Sequence, residues 1–174
     1  MDADAPLYIG LLKHSPLGDL WLAVSERGLV AVEWADHKPA LEQYLTKRLK
    51  RPSVINAEKT ASAIRQLGEY LDGDRTAFTF PIDWRLLRPF QREVLRRVFA
   101  IPYGETRTYG EIAHQIGRVR AARAVGRANA TNPMPLVIPC HRVVGADGKL
   151  RGYGGGQGLK TKEWLLKLEG AVIA

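Results

Sequence analysis

The hydrophobic pattern of this 174-residue chain changes period along its length, and that change limits the fold more than any other feature. Up to Trp34 the apolar residues fall into three short extended runs, Leu7–His14, Asp19–Ser25 and Gly28–Trp34. Turn-forming residues separate them, Ser15-Pro16-Leu17-Gly18 and then Ser25-Glu26-Arg27-Gly28. Runs joined this way predict an antiparallel meander. From Pro39 the period lengthens. Leu41, Leu45 and Leu49 recur every four residues, as Ile64, Leu67 and Leu71 do on one face of Thr60–Leu71, and each set predicts a helix. Gly73 can end the second helix, and Phe78–Ile82 is expected to return as a strand. Residues 1–84 therefore predict an α/β domain, an antiparallel sheet with helices. Arg85–Pro89 reads as a linker, and residues 85–174 predict a second, mostly α domain.

Pro89 is placed to open a helix over Phe90–Ala100, with Phe90, Val94, Val98 and Ile101 on one face. Ile101-Pro102-Tyr103-Gly104 ends it, because proline cannot continue a helix. Thr108 and Glu111 have the spacing of a capping box, so a short helix should run to about Ile116 and stop at Gly117. A second helix fits Ala121–Ala130. Helix, glycine turn and helix at this spacing make a helix-turn-helix. The second helix is built from small residues: Ala121, Ala122, Ala124, Gly126, Ala128 and Ala130. Arg123 and Arg127 lie four apart on one face. Small residues let a backbone approach a partner closely, which serves tight helix packing or entry into a DNA minor groove about 6 Å wide. Asn132-Pro133-Met134-Pro135 then breaks the helix, and the Asn132 side chain can bond to backbone on both sides.

Charge divides as the periods do. Residues 1–84 carry 10 basic and 12 acidic side chains, whereas residues 85–174 carry 16 and 6, a net +10. The second half thus has the balance of a polyanion-binding surface, or of a basic face kept for solubility. No apolar run is long enough to span a bilayer. The acidic start Met1-Asp2-Ala3-Asp4 lacks the features of a signal peptide, so a cytoplasmic location and no membrane partner are expected. One cysteine excludes an internal disulfide, and with four scattered histidines it makes a zinc site unexpected. His14 and His37 read as surface residues. No cofactor is expected, and there is no phosphate-loop pattern.

The one cysteine lies in Ile138-Pro139-Cys140-His141-Arg142-Val143-Val144. A thiol directly followed by an imidazole is a nucleophile beside a base, although a lone cysteine also serves as a small buried apolar residue. Pro139 fixes its own φ and biases Ile138 to an extended form, which aims the next side chain. Apolar flanks point to a cramped, partly dry pocket. Further on, Gly152-Tyr153-Gly154-Gly155-Gly156 reads either as a loose loop or as a glycine-lined approach to a flat ligand with Tyr153 packed on it. A last helix is expected over Lys162–Glu169. Glu169 at its C-terminus opposes the helix dipole and reads either as an exposed residue or as one held there to orient a histidine.

These stretches together resemble the O6-alkylguanine-DNA alkyltransferase family. The resemblance covers roughly residues 85–170 in order. It is carried by Arg88-Pro89-Phe90, Ile101-Pro102-Tyr103-Gly104, Thr108-Tyr109-Gly110-Glu111-Ile112-Ala113, Ala121-Ala122-Arg123-Ala124-Val125-Gly126, Asn132-Pro133, Pro139-Cys140-His141-Arg142-Val143-Val144, Gly152-Tyr153 and Lys162-Glu163-Trp164-Leu165-Leu166. The first half agrees in layout with that family's ribonuclease-H-like domain. The resemblance implies a monomeric, single-turnover repair protein for double-stranded DNA containing O6-alkylguanine, and O4-alkylthymine besides. Cys140 would accept the alkyl group, His141 would act through water as its base, Glu169 would orient His141, and Asn132 would brace the turn. Arg123 would replace the extruded base, and Tyr109 would help rotate that nucleotide out and donate to the base. Ala122, Ala124, Gly126 and Arg127 would face DNA. Tyr109, Pro135, Val143, Tyr153, Gly154, Gly155 and Lys162 would line the guanine pocket.

One departure concerns the pocket. The family commonly has a small hydroxyl residue after the tyrosine, where this chain has Gly154-Gly155-Gly156-Gln157-Gly158, so backbone N–H groups must serve guanine O6. Three rival readings predict different behaviour. An alkyltransferase-like damage binder would lack the acceptor cysteine, which Cys140 argues against. A helix-turn-helix regulator would bind one undamaged sequence, and a cysteine hydrolase would turn over and need an oxyanion hole.

Overall fold

The computed structural model describes residues 5–174. The chain divides into two compact units, one ending at Leu86 and the other beginning at Leu87.

In the first unit, β1 (Leu7–Ser15), β2 (Gly18–Ser25) and β3 (Gly28–Trp34) form the antiparallel meander. The sheet is mixed rather than wholly antiparallel. Its order is β3-β2-β1-β4, and β4 (Ser53–Ile55) runs parallel to β1. Phe78–Ile82 does not form the expected strand. Ile82 makes only a bridge to Leu29. The Thr79 N–H donates to the Gln66 side chain instead, and Pro81 has no N–H to give to a ladder. The first helix starts as α1 (Lys38–Gln43) and widens into a π turn over Tyr44–Arg48. Leu41 and Leu45 stay on its buried face, against Leu7, Ile9, Ala23, Val30 and Ala31 of the sheet. Burial of each of these two leucines contributes about 1.5–3 kcal/mol. α2 (Ala57–Leu71) begins three residues before the periodic face does, because Asn56 caps it by accepting from the Lys59 N–H. A Cβ on Gly10 would stand 2.2 Å from Thr60 Oγ1, so glycine is what lets α2 lie close on β1.

The second unit is helical. α3 (Pro89–Phe99) has proline in its first turn and buries Val94, Leu95 and Val98. A two-residue strand, β5 (Arg107–Thr108), leads into α4 (Tyr109–Gln115). The capping box is formed in both directions: Thr108 Oγ1 accepts from the Glu111 N–H, and Glu111 accepts from the Thr108 N–H. Gly117, at φ 70°, turns the chain toward α5 (Ala122–Ala130). β6 (Val143–Val144) pairs in parallel with β5, so the segment after Cys140 is tied to the start of α4. α6 (Leu159–Leu168) starts three residues earlier than its apolar residues indicate, after Gly158 at φ 65°. Among the described residues no helix is long and apolar enough to cross a membrane.

Candidate active site

Cys140, His141 and Arg142 form one turn of 3-10 helix, and all three are buried. The chain reaches this turn through a constrained path. Leu136 is held at φ 74°, a left-handed conformation that costs a branched residue roughly 1–3 kcal/mol. Two asparagines from the end of α5 hold the path in place. Asn132 Nδ2 donates to the Ile138 carbonyl at 2.9 Å while its Oδ1 accepts from the Met134 N–H. Asn129 Nδ2 donates to the Cys140 carbonyl at 3.2 Å. The backbone around Cys140 is therefore bolted to the helix that carries Arg123 and Arg127.

Burial pushes the Cys140 thiol above its ordinary range. A hydrogen bond from Asn132 and the nearby Lys162 ammonium offset only part of that. The resting group is thus a thiol, and its proton must leave during any reaction at sulfur. An activated thiolate, as forms beside an imidazolium, is thus not the resting state. Burial likewise pushes the His141 imidazole below its ordinary value, against the opposing pull of Glu169. His141 Nε2 lies 2.8 Å from Glu169 Oε1. Burial alone would raise the Glu169 carboxyl, but hydrogen bonds from His141 and Arg142 outweigh it and hold the group down at about 2. An ionised carboxylate only accepts, so Nε2 carries the hydrogen and the Nδ1 lone pair of the neutral ring is the basic one.

Glu169 is the C-cap of α6. Its charge is unfavourable to the helix dipole there and is balanced by Arg142, whose Nε and Nη2 donate to the two carboxylate oxygens at 2.8 and 2.9 Å. Neither Arg142 nor Asn129 stood out in the sequence. An arginine between His141 and Val143 in a basic half reads as surface, and an asparagine inside an alanine-rich helix reads as solvent-facing.

Tyr109, the first residue of α4, packs its ring beside Gly126 of α5, where a Cβ would sit 3.8 Å from Tyr109 Cδ1. Its hydroxyl is raised by burial and by the proximity of Cys140, with Asn129 opposing. Arg123 and Arg127 are exposed, while Ala122, Ala124 and Gly126 are half-buried. Val143, Pro135 and Tyr153 range from buried to half-buried, and of the glycines Gly154 is exposed and Gly155 half-buried. A Cβ on Gly154 would stand 3.7 Å from the Ala130 carbonyl, which brings the glycine stretch to the end of α5. Lys162 is fully buried. Its ammonium donates to the Val143 carbonyl at 2.6 Å and the Arg151 carbonyl at 2.8 Å, and burial lowers it to about 8. It fastens the strand after Cys140 to the glycine stretch. Among the described residues no group of three or more His, Cys, Asp or Glu side chains could hold a metal ion.

Two family models match the chain. Residues 7–84 match the ribonuclease-like domain of 6-O-methylguanine DNA methyltransferase, and residues 89–171 match the DNA binding domain of the same family. The chain belongs to the 6-O-methylguanine DNA methyltransferase family. As a member of it, the chain is 48% identical over 155 residues to the methylated-DNA–protein-cysteine methyltransferase of Mycolicibacterium paratuberculosis, covering 89% of this chain and 88% of that one. It is 45% identical over 163 residues to the Methanosarcina acetivorans protein of the same name, covering 91% and 96%. Among solved structures it is similar to Mycobacterium tuberculosis OGT in complex with DNA, with a TM-score of 0.76 at 40% identity, covering 94% of this chain and 92% of that chain. In this methyltransferase Pro139-Cys140-His141-Arg142-Val143 is the segment that positions Cys140, His141 and Arg142.

Proposed function

We propose that the chain repairs double-stranded DNA by moving the alkyl group from guanine O6, and from thymine O4, onto the sulfur of Cys140. The observation that carries this reading is the chain's single thiol, buried one residue before an imidazole that is hydrogen-bonded to an ionised carboxylate. The names of its relatives support the same chemistry.

In the transfer, Cys140 Sγ attacks the alkyl carbon. The S–C bond forms, the C–O6 bond breaks, and the electron pair stays on guanine. The thiol proton passes through a water to His141, which Glu169 orients. Guanine takes up one proton from solvent water as it leaves, with the Tyr109 hydroxyl hydrogen-bonding to it, and His141 returns the thiol proton to solvent, so protons balance. The thioether has no labile proton and no leaving group, and each molecule acts once. The base cannot be reached inside a duplex, so it is extruded at a cost of a few kcal/mol. Arg123 fills the vacated stack, Tyr109 helps to turn the nucleotide out, and Arg127 meets phosphate. Ala122, Ala124 and Gly126 allow the minor-groove backbone to approach. Pro135, Val143, Tyr153, Gly154 and Gly155 line the guanine pocket, with Lys162 fixing the Val143 carbonyl from behind. Asn132 keeps the acceptor turn in register with the helix. Residues 85–174 thus bind DNA and accept the alkyl group, residues 1–84 serve as scaffold, and the protein works as a monomer in the cytoplasm, on the nucleoid.

The test is to incubate the protein with a duplex carrying one O6-methylguanine and analyse the nucleosides. Guanine should replace methylguanine in proportion to protein added. Cys140→Ala should leave the modified base intact. Guanine restored by that variant would refute the assignment.

A further inference from the structure

We infer that Arg142 is a positioning residue for the transfer: by holding both oxygens of Glu169 it leaves the imidazole of His141 neutral and able to take the thiol's proton. This rests on the proposed alkyl transfer and adds to it a group that, together with burial, keeps its base uncharged.

Arg142 is held at four points. Besides its two bonds to Glu169, its Nη1 donates to the Ile101 carbonyl, and its guanidinium lies 5.7 Å from the centre of the Tyr103 ring. The side chain is buried and held by groups other than Glu169, so its orientation does not depend on the carboxylate. A guanidinium stays charged at every working pH. The Arg142–Glu169 pair is therefore neutral before His141 is considered.

That neutrality decides what the carboxylate does to the imidazole. A buried carboxylate with no other partner would favour the imidazolium by about one to three units, and an imidazolium cannot accept a proton. With Arg142 already paired, protonating His141 leaves a net positive charge in a closed site. The charged groups that act on His141 include Glu169 at the C-cap of α6, Lys162 on α6 and Arg142 on its own turn, and the Cys140 thiol accepts from the His141 backbone. Tyr103 lies beyond, against Arg142. The buried residues of α3, Val94, Leu95 and Val98, carry no charge. Both cations near the ring thus oppose its protonation, and Arg142 is the nearer to Glu169. Once His141 has taken the thiol proton, the same carboxylate still accepts from Nε2, so the imidazolium is tolerated briefly but not stored.

The test titrates His141 in the intact protein by NMR of labelled histidine, assigned with His141→Gln, and in parallel follows the pH profile of the single-turnover rate on a methylated duplex. In the native protein His141 should stay neutral through pH 6.5, the ordinary histidine value. Arg142→Met should move its midpoint up by about one unit or more, with the acid limb of the rate moving by the same amount. Arg142→Lys, which keeps the charge, should restore the native midpoint. An unmoved midpoint in Arg142→Met would show that Arg142 is only a tether for α6 and would overturn the inference. If Arg142→Met fails to fold, Glu169→Gln is compared with Arg142→Met/Glu169→Gln, in which both charges are gone. The double variant should titrate His141 at the higher pH, and equal midpoints would overturn the inference just as firmly. Failure of the native protein to transfer methyl would instead sink the functional reading and leave the titration result standing.

Discussion

Cys140 and His141 both rest neutral because burial moves their titrations in opposite directions, the thiol up and the imidazole down. That has a consequence for stability. An unfolded His141 takes a proton as pH falls through 6.5, while the folded one stays neutral, so stability is present above 6.5 and drains away below it. Glu169, ordinarily at 4.5 and held in the fold at about 2, adds a second loss between those values. Melting temperature should therefore fall in two acid steps. His141→Gln should remove the first step and Glu169→Gln the second. Parallel melting curves for all three proteins across that range would show that neither group is held as described. At the alkaline end the unfolded thiol ionises near 9.0 while the folded one does not, so Cys140 removes stability as pH rises past that value. Lys162, which in the fold gives up its proton at about 8 against 10.5 ordinarily, acts in the opposite sense over that range.

At the scale of elements, α5 and the residues just after it join the side chains proposed to face DNA to the turn of Cys140, through Asn129 and Asn132. Arg123→Ala should slow transfer from duplex DNA far more than transfer from free O6-alkylguanine, because only the duplex needs its vacated stack filled. Equal losses would place Arg123 in the pocket or the fold. Thr108→Ala should cost about 0.5–2 kcal/mol of stability by removing the cap of α4, measured by denaturant unfolding. How legible an element was depended on whether its cause is local. The capping box at Thr108 and Glu111 and the turns between β1, β2 and β3 are local chemistry, and both are read from sequence. β4 is three residues whose pairing with β1 is decided by tertiary contact. The segment at Phe78–Ile82 has a strand's composition but spends the Thr79 N–H on Gln66. The site divides the same way: Cys140 and His141 are adjacent and visible, whereas Arg142 and Glu169 meet only because α6 returns to the acceptor turn.

At the scale of the whole molecule, charge and the single thiol set the behaviour. With 16 basic against 6 acidic residues beyond residue 84, DNA binding should be largely indifferent to undamaged sequence. It should weaken at least about tenfold between 50 and 200 mM salt as counterions return to the phosphates. A flat salt profile with a strong preference for one sequence would mark a regulator instead. Alkylation adds carbon to a buried site, and overpacking typically costs ~1–3 kcal/mol. Each kcal/mol lowers the melting temperature by roughly 2–4 °C in a chain of this size. The methylated protein should therefore melt several degrees below the native one, and a benzyl adduct lower still. Coincident curves would show that the pocket absorbs the adduct. The central claim, that Cys140 is the acceptor and is consumed, is tested most directly by mass spectrometry of the peptide containing Cys140 after incubation with excess O6-methylguanine duplex. That peptide should gain one methyl group, and uptake should stop at one per protein. An unmodified Cys140 peptide, or methyl loss from DNA continuing beyond one per protein, would contradict it.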